Sequence, residues 1–240
     1  MFETELQSTE SIELLNGTTI NFLLIKKYRR SIGLKITKDG LIVHAPILMT
    51  KSSIKKAIIS KQKWIESKLD LINVSPITFS ISSLQTFNLL GKAMTLQCST
   101  GPKKIFVKGD ECFLSFNDLN NQEKLKKYFV KWLKDYALDY FKARVYIHSK
   151  NNNLIVNNVL LSNAKTKWGT CNYKREVRLN WRLIQASTFI IDYVICHELS
   201  HLKFMNHSKQ FWDLVEDIFP DYKEAQKQLK LIGFHLYQLD

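Results

Sequence analysis

The sequence predicts an α+β fold, on three observations. Short apolar runs separated by glycine, proline and an Asp-Gly turn fill the first half, and a long amphipathic stretch occupies the middle. In the second half an almost wholly apolar segment runs into a pair of histidines four residues apart. At 240 residues the chain is long enough to bury a core without disulfide or metal staples. Its 45% hydrophobic and 24% charged residues, with 8 Gly and 4 Pro, exclude disordered, collagenous and low-complexity classes.

Residues 1–18 show no strong periodicity and are expected to be a flexible N-terminus. Residues 19–120 are expected to form a β-rich region with one helix. Thr19–Ile25 and Ser31–Thr37 are rich in branched residues, and Lys38-Asp39-Gly40 marks a hairpin turn into Leu41–Ala45, closed by Pro46. Ser52 or Ser53 caps a helix running to about Ile72, with Ile54, Ile58, Ile65 and Leu69 near one face. Phe87–Leu90, Met94–Cys98, Ile105–Val107 and Cys112–Phe116, set apart by Gly91, Gly101-Pro102 and Gly109-Asp110, read as a small antiparallel sheet.

Residues 121–240 are expected to form the metal-binding region. A helix from about Gln122 to His148 carries a stripe of Leu125, Tyr128, Phe129, Trp132, Leu133, Tyr136 and Tyr140, spaced as a buried face is. The Asn-rich tract around Asn151–Asn153 reads as a loop. Val159–Ser162, Lys167–Cys171 and Glu176–Trp181 read as strands, the last two joined by a turn at Asn172–Arg175. No internal repeat is evident.

The formal net charge of +13 is concentrated in residues 1–150, which hold 24 of the 35 Lys+Arg and 13 of the 22 Asp+Glu. Such a basic half attracts nucleotides or nucleic acids, although lysines on the polar faces of helices account for most of it. No stretch reaches the roughly 18 to 20 apolar residues needed to cross a bilayer, so no membrane is expected. The acidic start Met1–Glu5 is unlike a signal peptide, which places the chain in the cytoplasm with Cys98, Cys112, Cys171 and Cys196 as reduced thiols.

The chemistry concentrates in His197-Glu198-Leu199-Ser200-His201. On a helix, residues four apart lie on one face, so His197 and His201 can present two imidazole nitrogens to one ion. Glu198, one position beyond the first histidine, sits beside that ion and can accept a proton from water as catalytic base. With 6 His in the chain, chance places this pattern in under about 1 in 100 such sequences. His207 is the leading third ligand, and Glu216 and then Asp213 are the alternatives. The spacing matches the long metzincin motif, except that Phe204 replaces its turn glycine. Asn206 is therefore expected to supply a left-handed turn toward His207. Arg182 and Trp168, from the strands before the helix, are candidate substrate-binding residues. Phe211, Trp212 and Val215 form the buried face of a helix from Ser208 to Pro220, and Asp221 begins a last helix ended by Gly233.

Trp168-Gly169-Thr170-Cys171, Leu179-Asn180-Trp181-Arg182-Leu183, the His197–His201 pattern, Met205-Asn206-His207-Ser208 and Pro220-Asp221-Tyr222-Lys223 together resemble the YgjP-like metallopeptidases, bacterial zincin-like proteins. The likeness spans about Phe22 to Gly233 and is strongest from Lys165 to Lys230. It implies a zincin-like fold, a zinc site of His197, His201 and His207, and Glu198 as base. Lys167 and Thr170 stand where the family usually has arginine and serine. The expected activity is zinc-dependent hydrolysis of peptide or protein substrates. Alternatives are a metal-dependent nucleoside polyphosphate hydrolase using the same site, and a nucleic-acid-binding protein with a structural metal. Imidazole also accepts nickel, manganese or iron.

Overall fold

A computed structural model describes residues 6–37, 40–73, 80–237 and 239. Helices and sheets are mixed, as the α+β class requires, and the chain divides into two compact units, Met1–Ile77 and Thr78–Asp240.

The first unit runs β1 (Leu6–Glu13), β2 (Thr19–Lys27), β3 (Gly33–Thr37), β4 (Gly40–Pro46), α1 (Lys51–Ile59) and α2 (Gln62–Asn73). Its sheet has the order β1-β2-β4-β3, with β2 and β4 parallel and the other pairs antiparallel. Phe22, Leu24, Leu41 and Val43 of the sheet bury against Ile54, Ile58 and Ile65 of the helices. Two sequence expectations change. Residues 6–13 form a strand rather than a flexible leader, held by a full antiparallel ladder from Leu6↔Lys26 to Glu13↔Thr19. Most β1 side chains are exposed, so the strand lacks the apolar alternation that reveals one. The single helix is two: Thr50, not Ser52 or Ser53, caps α1, and the break falls where the Ser60 hydroxyl donates to the Ala57 carbonyl. β3 and β4 pair as a hairpin, while Lys38 and Asp39 of its turn lie outside the described residues.

The second unit opens with β5 (Thr86–Leu89), β6 (Lys92–Thr100), β7 (Lys104–Lys108) and β8 (Glu111–Phe116), then α3 (Gln122–Asn151). This sheet is mixed, not purely antiparallel: the order is β5-β6-β8-β7, because β7 folds back on the outer side of β8 and leaves β8 parallel to β6. Strand order and pairing sense repeat those of the first unit. Phe87, Leu96 and Leu114 share one core with Leu125, Phe129 and Leu133 of α3. The division therefore falls at residue 77 rather than near 120, since this sheet has its apolar face on α3.

β9 (Asn158–Ser162), β10 (Gly169–Cys171) and β11 (Glu176–Asn180) form a third sheet of order β10-β11-β9, followed by a 3-10 turn at Trp181–Gln185. Then come α4 (Thr188–Ser200), α5 (Lys209–Ile218) and α6 (Tyr222–Ile232). α4 is apolar nearly all round and packs against α3, α5, α6, β10 and β11, as a fully surrounded helix must. Its start is fixed by the β5–β6 turn. Gly91, at φ +78°, lies so close to Ser187 that an added Cβ would stand 2.8 Å from the Ser187 Cα. Among the described residues no helix is long and apolar enough to cross a membrane.

The one acidic residue within the apolar part of α4, Asp192, is tied to α3. Arg144 grips its carboxylate through two nitrogens, Nε at 2.8 Å from Oδ1, and His148 Nε2 lies 3.2 Å from the same oxygen. Burial alone would raise the Asp192 carboxyl, but His148 and Arg144 outweigh it and hold it below the usual carboxylate range. The contribution of this pair is complete above the ordinary carboxylate pKa and is lost as pH falls through the lower folded value. Asp192→Asn should lower the unfolding free energy by about 2–4 kcal/mol near neutral pH in urea titrations, with less difference from wild type in strong acid. Lys131→Ala, which removes an exposed pair with Asp135, should leave the unfolding midpoint unchanged in the same titrations.

Candidate active site

The three histidines singled out by their spacing meet at the C-terminal end of α4. His197 lies in the last turn of the helix and His201 is its C-cap residue. The chain then tightens, with Leu202 N–H donating to Leu199, Lys203 N–H to Ser200 and Phe204 N–H to Ser200. A short link brings in His207, just ahead of Ser208, which caps α5 by accepting from the Phe211 N–H. Asn206 is not in the left-handed region as expected from the missing glycine. The tightened turn reverses the chain without it.

One nitrogen from each ring lies within 4.8 Å of the other two, and among the described residues this cluster contains no fourth histidine, cysteine or carboxylate. Asp213 and Glu216 stand outside it, and Glu216 faces Lys223 at 3.5 Å. Nε2 of His207 is 3.1 Å from Nε2 of His197, close to the roughly 3.3 Å between two nitrogens bound to one tetrahedral zinc. His201 donates from Nδ1 to the Phe204 carbonyl at 3.0 Å, which leaves the Nε2 lone pair free to ligate. Among the described residues Nδ1 of His197 is buried without a hydrogen-bond partner, and the ring makes its polar contact through Nε2. Phe211 lies against all three rings, at centroid distances of 5.0, 4.6 and 4.7 Å from His197, His201 and His207.

Electrostatics favour the neutral form of His197 and His201. Burial, reinforced by the neighbouring imidazoles, drives His197 down to about 3, and burial likewise lowers His201. Neutral imidazoles are what a divalent cation requires. The donor set therefore fits an imidazole-bound metal such as zinc with one coordination position left open.

Glu198 is only 5% exposed. Burial pushes its carboxyl up to about 8, with the charge of Lys167 acting in the opposite direction. It faces a cleft whose walls include Trp168, Thr170, Cys171, Tyr193, Met205 and Leu229 together with the histidines. Trp168, a candidate substrate contact from the sequence, lies on this wall and packs against Tyr237 with ring centroids 5.4 Å apart and the rings tilted. Arg182 does not. It is 3% exposed, its guanidinium sandwiched between the rings of Trp181 and Tyr237 at 4.7 and 4.9 Å, and it is absent from the cleft wall. Its hydrogen bond to Asn180 and these two ring faces supply the partners a substrate was expected to supply. Tyr193 escaped notice in the sequence, although it lies four residues before His197 and so shares its face of the helix.

No curated protein matches this chain. Among solved structures, the metallopeptidase zymogen of Pyrococcus abyssi abylysin is similar at 21% identity and TM-score 0.36, over 39% of this chain and 95% of that one. The metallopeptidase zymogen of Methanocaldococcus jannaschii jannalysin is similar at 25% identity and TM-score 0.33, over 39% of this chain and 94% of that one. The model of the YgjP-like metallopeptidase domain matches residues 30–231, which takes in most of the chain and all three clustered histidines. The chain belongs to the YgjP-like metallopeptidase family.

Proposed function

We propose that this protein is a zinc-dependent, zincin-like peptidase in which His197, His201 and His207 hold the metal and Glu198 is the general base. The observation that carries this reading is the convergence of three imidazole nitrogens within 4.8 Å beside a buried carboxyl on the same helix turn. A zinc ion held there would supply Lewis acidity, polarising a carbonyl and making water a nucleophile near neutral pH. Closure by a fourth protein ligand, the mark of a structural site, has no support among the described residues.

The remaining work falls to the chain itself. The carboxylate of Glu198 takes the proton of the attacking water and returns it to the departing amine. Its burial shields the transferred proton from solvent. Trp168, Tyr193, Met205 and Leu229 give the cleft an apolar wall along which a peptide can lie and exclude water. Peptide is the substrate class favoured by the family; among the described residues Lys167 is the one cationic side chain on the cleft wall, which does not favour a polyphosphate. The cytoplasm remains the expected compartment.

Two experiments test the assignment. Glu198→Gln should retain about one zinc per chain by elemental analysis while hydrolysis of a quenched peptide library falls by roughly 10²–10⁴-fold; full activity in this variant would remove Glu198 from its role. His201→Ala should purify nearly free of metal, and chelator treatment of the wild type should abolish peptide hydrolysis until zinc is restored. Activity that survives exhaustive metal removal, or turnover of nucleoside triphosphates in preference to peptides, would overturn the reading.

A further inference from the structure

Glu198 is packed against a position with no side chain. A Cβ built on Gly169, the first residue of β10, would stand 2.5 Å from Oε1 of Glu198, 2.6 Å from its Cγ and 2.8 Å from its carboxyl carbon. These separations are too short for any real contact, and the inner one falls on the stem of the side chain, not only on its mobile tip. A methyl group there forces the whole Glu198 side chain to turn. The backbone conformation does not explain the glycine, because Gly169 is not in the left-handed region.

The segment that presents Gly169 is pinned over its length. Asn180, wholly buried, donates from Nδ2 to the carbonyls of Ala164 at 2.7 Å and Lys167 at 3.2 Å, and its own N–H donates to the Trp168 carbonyl at 2.8 Å. Trp181 donates from Nε1 to Asn163, and the Tyr237 hydroxyl donates to the Lys165 carbonyl at 3.1 Å. β10 is further held by its ladder to β11, where Gly169 is paired with Leu179. With the strand fixed on one side and α4 immobilised by its packing on the other, a clash at this point must be relieved by the carboxyl-bearing side chain.

We infer that Gly169 is a positioning residue for the catalytic carboxyl: its bare backbone forms the wall that sets where Glu198 stands relative to the three imidazoles. This rests on the reading of Glu198 as the base. The role predicts an unusual pattern of effects. Loss of a side chain's worth of space here should damage turnover while sparing the metal, the fold and substrate capture.

The test is Gly169→Ala in the full chain, measured beside Glu198→Gln. Gly169→Ala should bind zinc at wild-type stoichiometry, and its cobalt-substituted form should keep the wild-type visible absorption, which reports the three-imidazole ligand set. Melting of the metal-free protein should shift by no more than a few degrees. Peptide hydrolysis should show kcat reduced on the order of 100-fold, the scale of an ångström-sized misplacement of a catalytic group, with KM within about twofold of wild type. Wild-type kcat in Gly169→Ala, with Glu198→Gln inactive, overturns the positioning role and leaves the base assignment standing. Wild-type activity in Glu198→Gln overturns the base assignment itself. Loss of zinc, a changed cobalt spectrum or a large fall in melting temperature in Gly169→Ala makes the residue structural and also overturns the inference.

Discussion

The arrangement of the cleft depends on the burial of α4. A helix with apolar side chains around nearly its whole circumference has no face to offer water, so it settles only where other elements enclose it. α3, α5, α6 and the third sheet do so, and their positions follow from that demand. Because α4 cannot slide or rotate without exposing Ile191, Val194 or Ile195, the histidines and the carboxyl at its end occupy fixed places. The bidentate grip of Arg144 on Asp192 adds orientation to this non-directional packing.

The same burial sets the chemistry. Desolvation acts in opposite senses on the two kinds of side chain at the end of α4, holding imidazole neutral and making the carboxyl a stronger base. Phe211 closes the far side of the three rings. This leaves them open toward the cleft.

Opposite the end of α4 lies β10, whose Gly169 brings bare backbone against Glu198. The strand β10 is brought there by hydrogen bonds from Asn180, Trp181 and Tyr237, residues drawn from a strand end, a 3-10 turn and the C-terminal segment. Trp168 packs at a tilt against that same tyrosine, which also forms one face of the sandwich around Arg182. An arginine that reads as a substrate contact in the sequence thus serves the support of the cleft from behind.

Local pattern alone was enough to mark α3, the strands β2 to β11, the helices after Ser187 and Ser208, and the placing of His197, Glu198 and His201 on one helix turn. These follow from apolar periodicity, caps and the four-residue repeat, all of which act over a few residues. It was also enough to single out His207 and to suggest the family by resemblance. Strand β1, the parallel pairings of β2 with β4, β6 with β8 and β9 with β11, and the joining of the second sheet to α3 were decided by tertiary structure. Pairing partners and core membership are long-range choices that no local pattern encodes. The burial of Arg182 and the closeness of Gly169 to Glu198 belong to the same class. Each depends on residues far apart in the chain, and only the folded backbone determines whether a position there meets solvent, a ring face or another side chain.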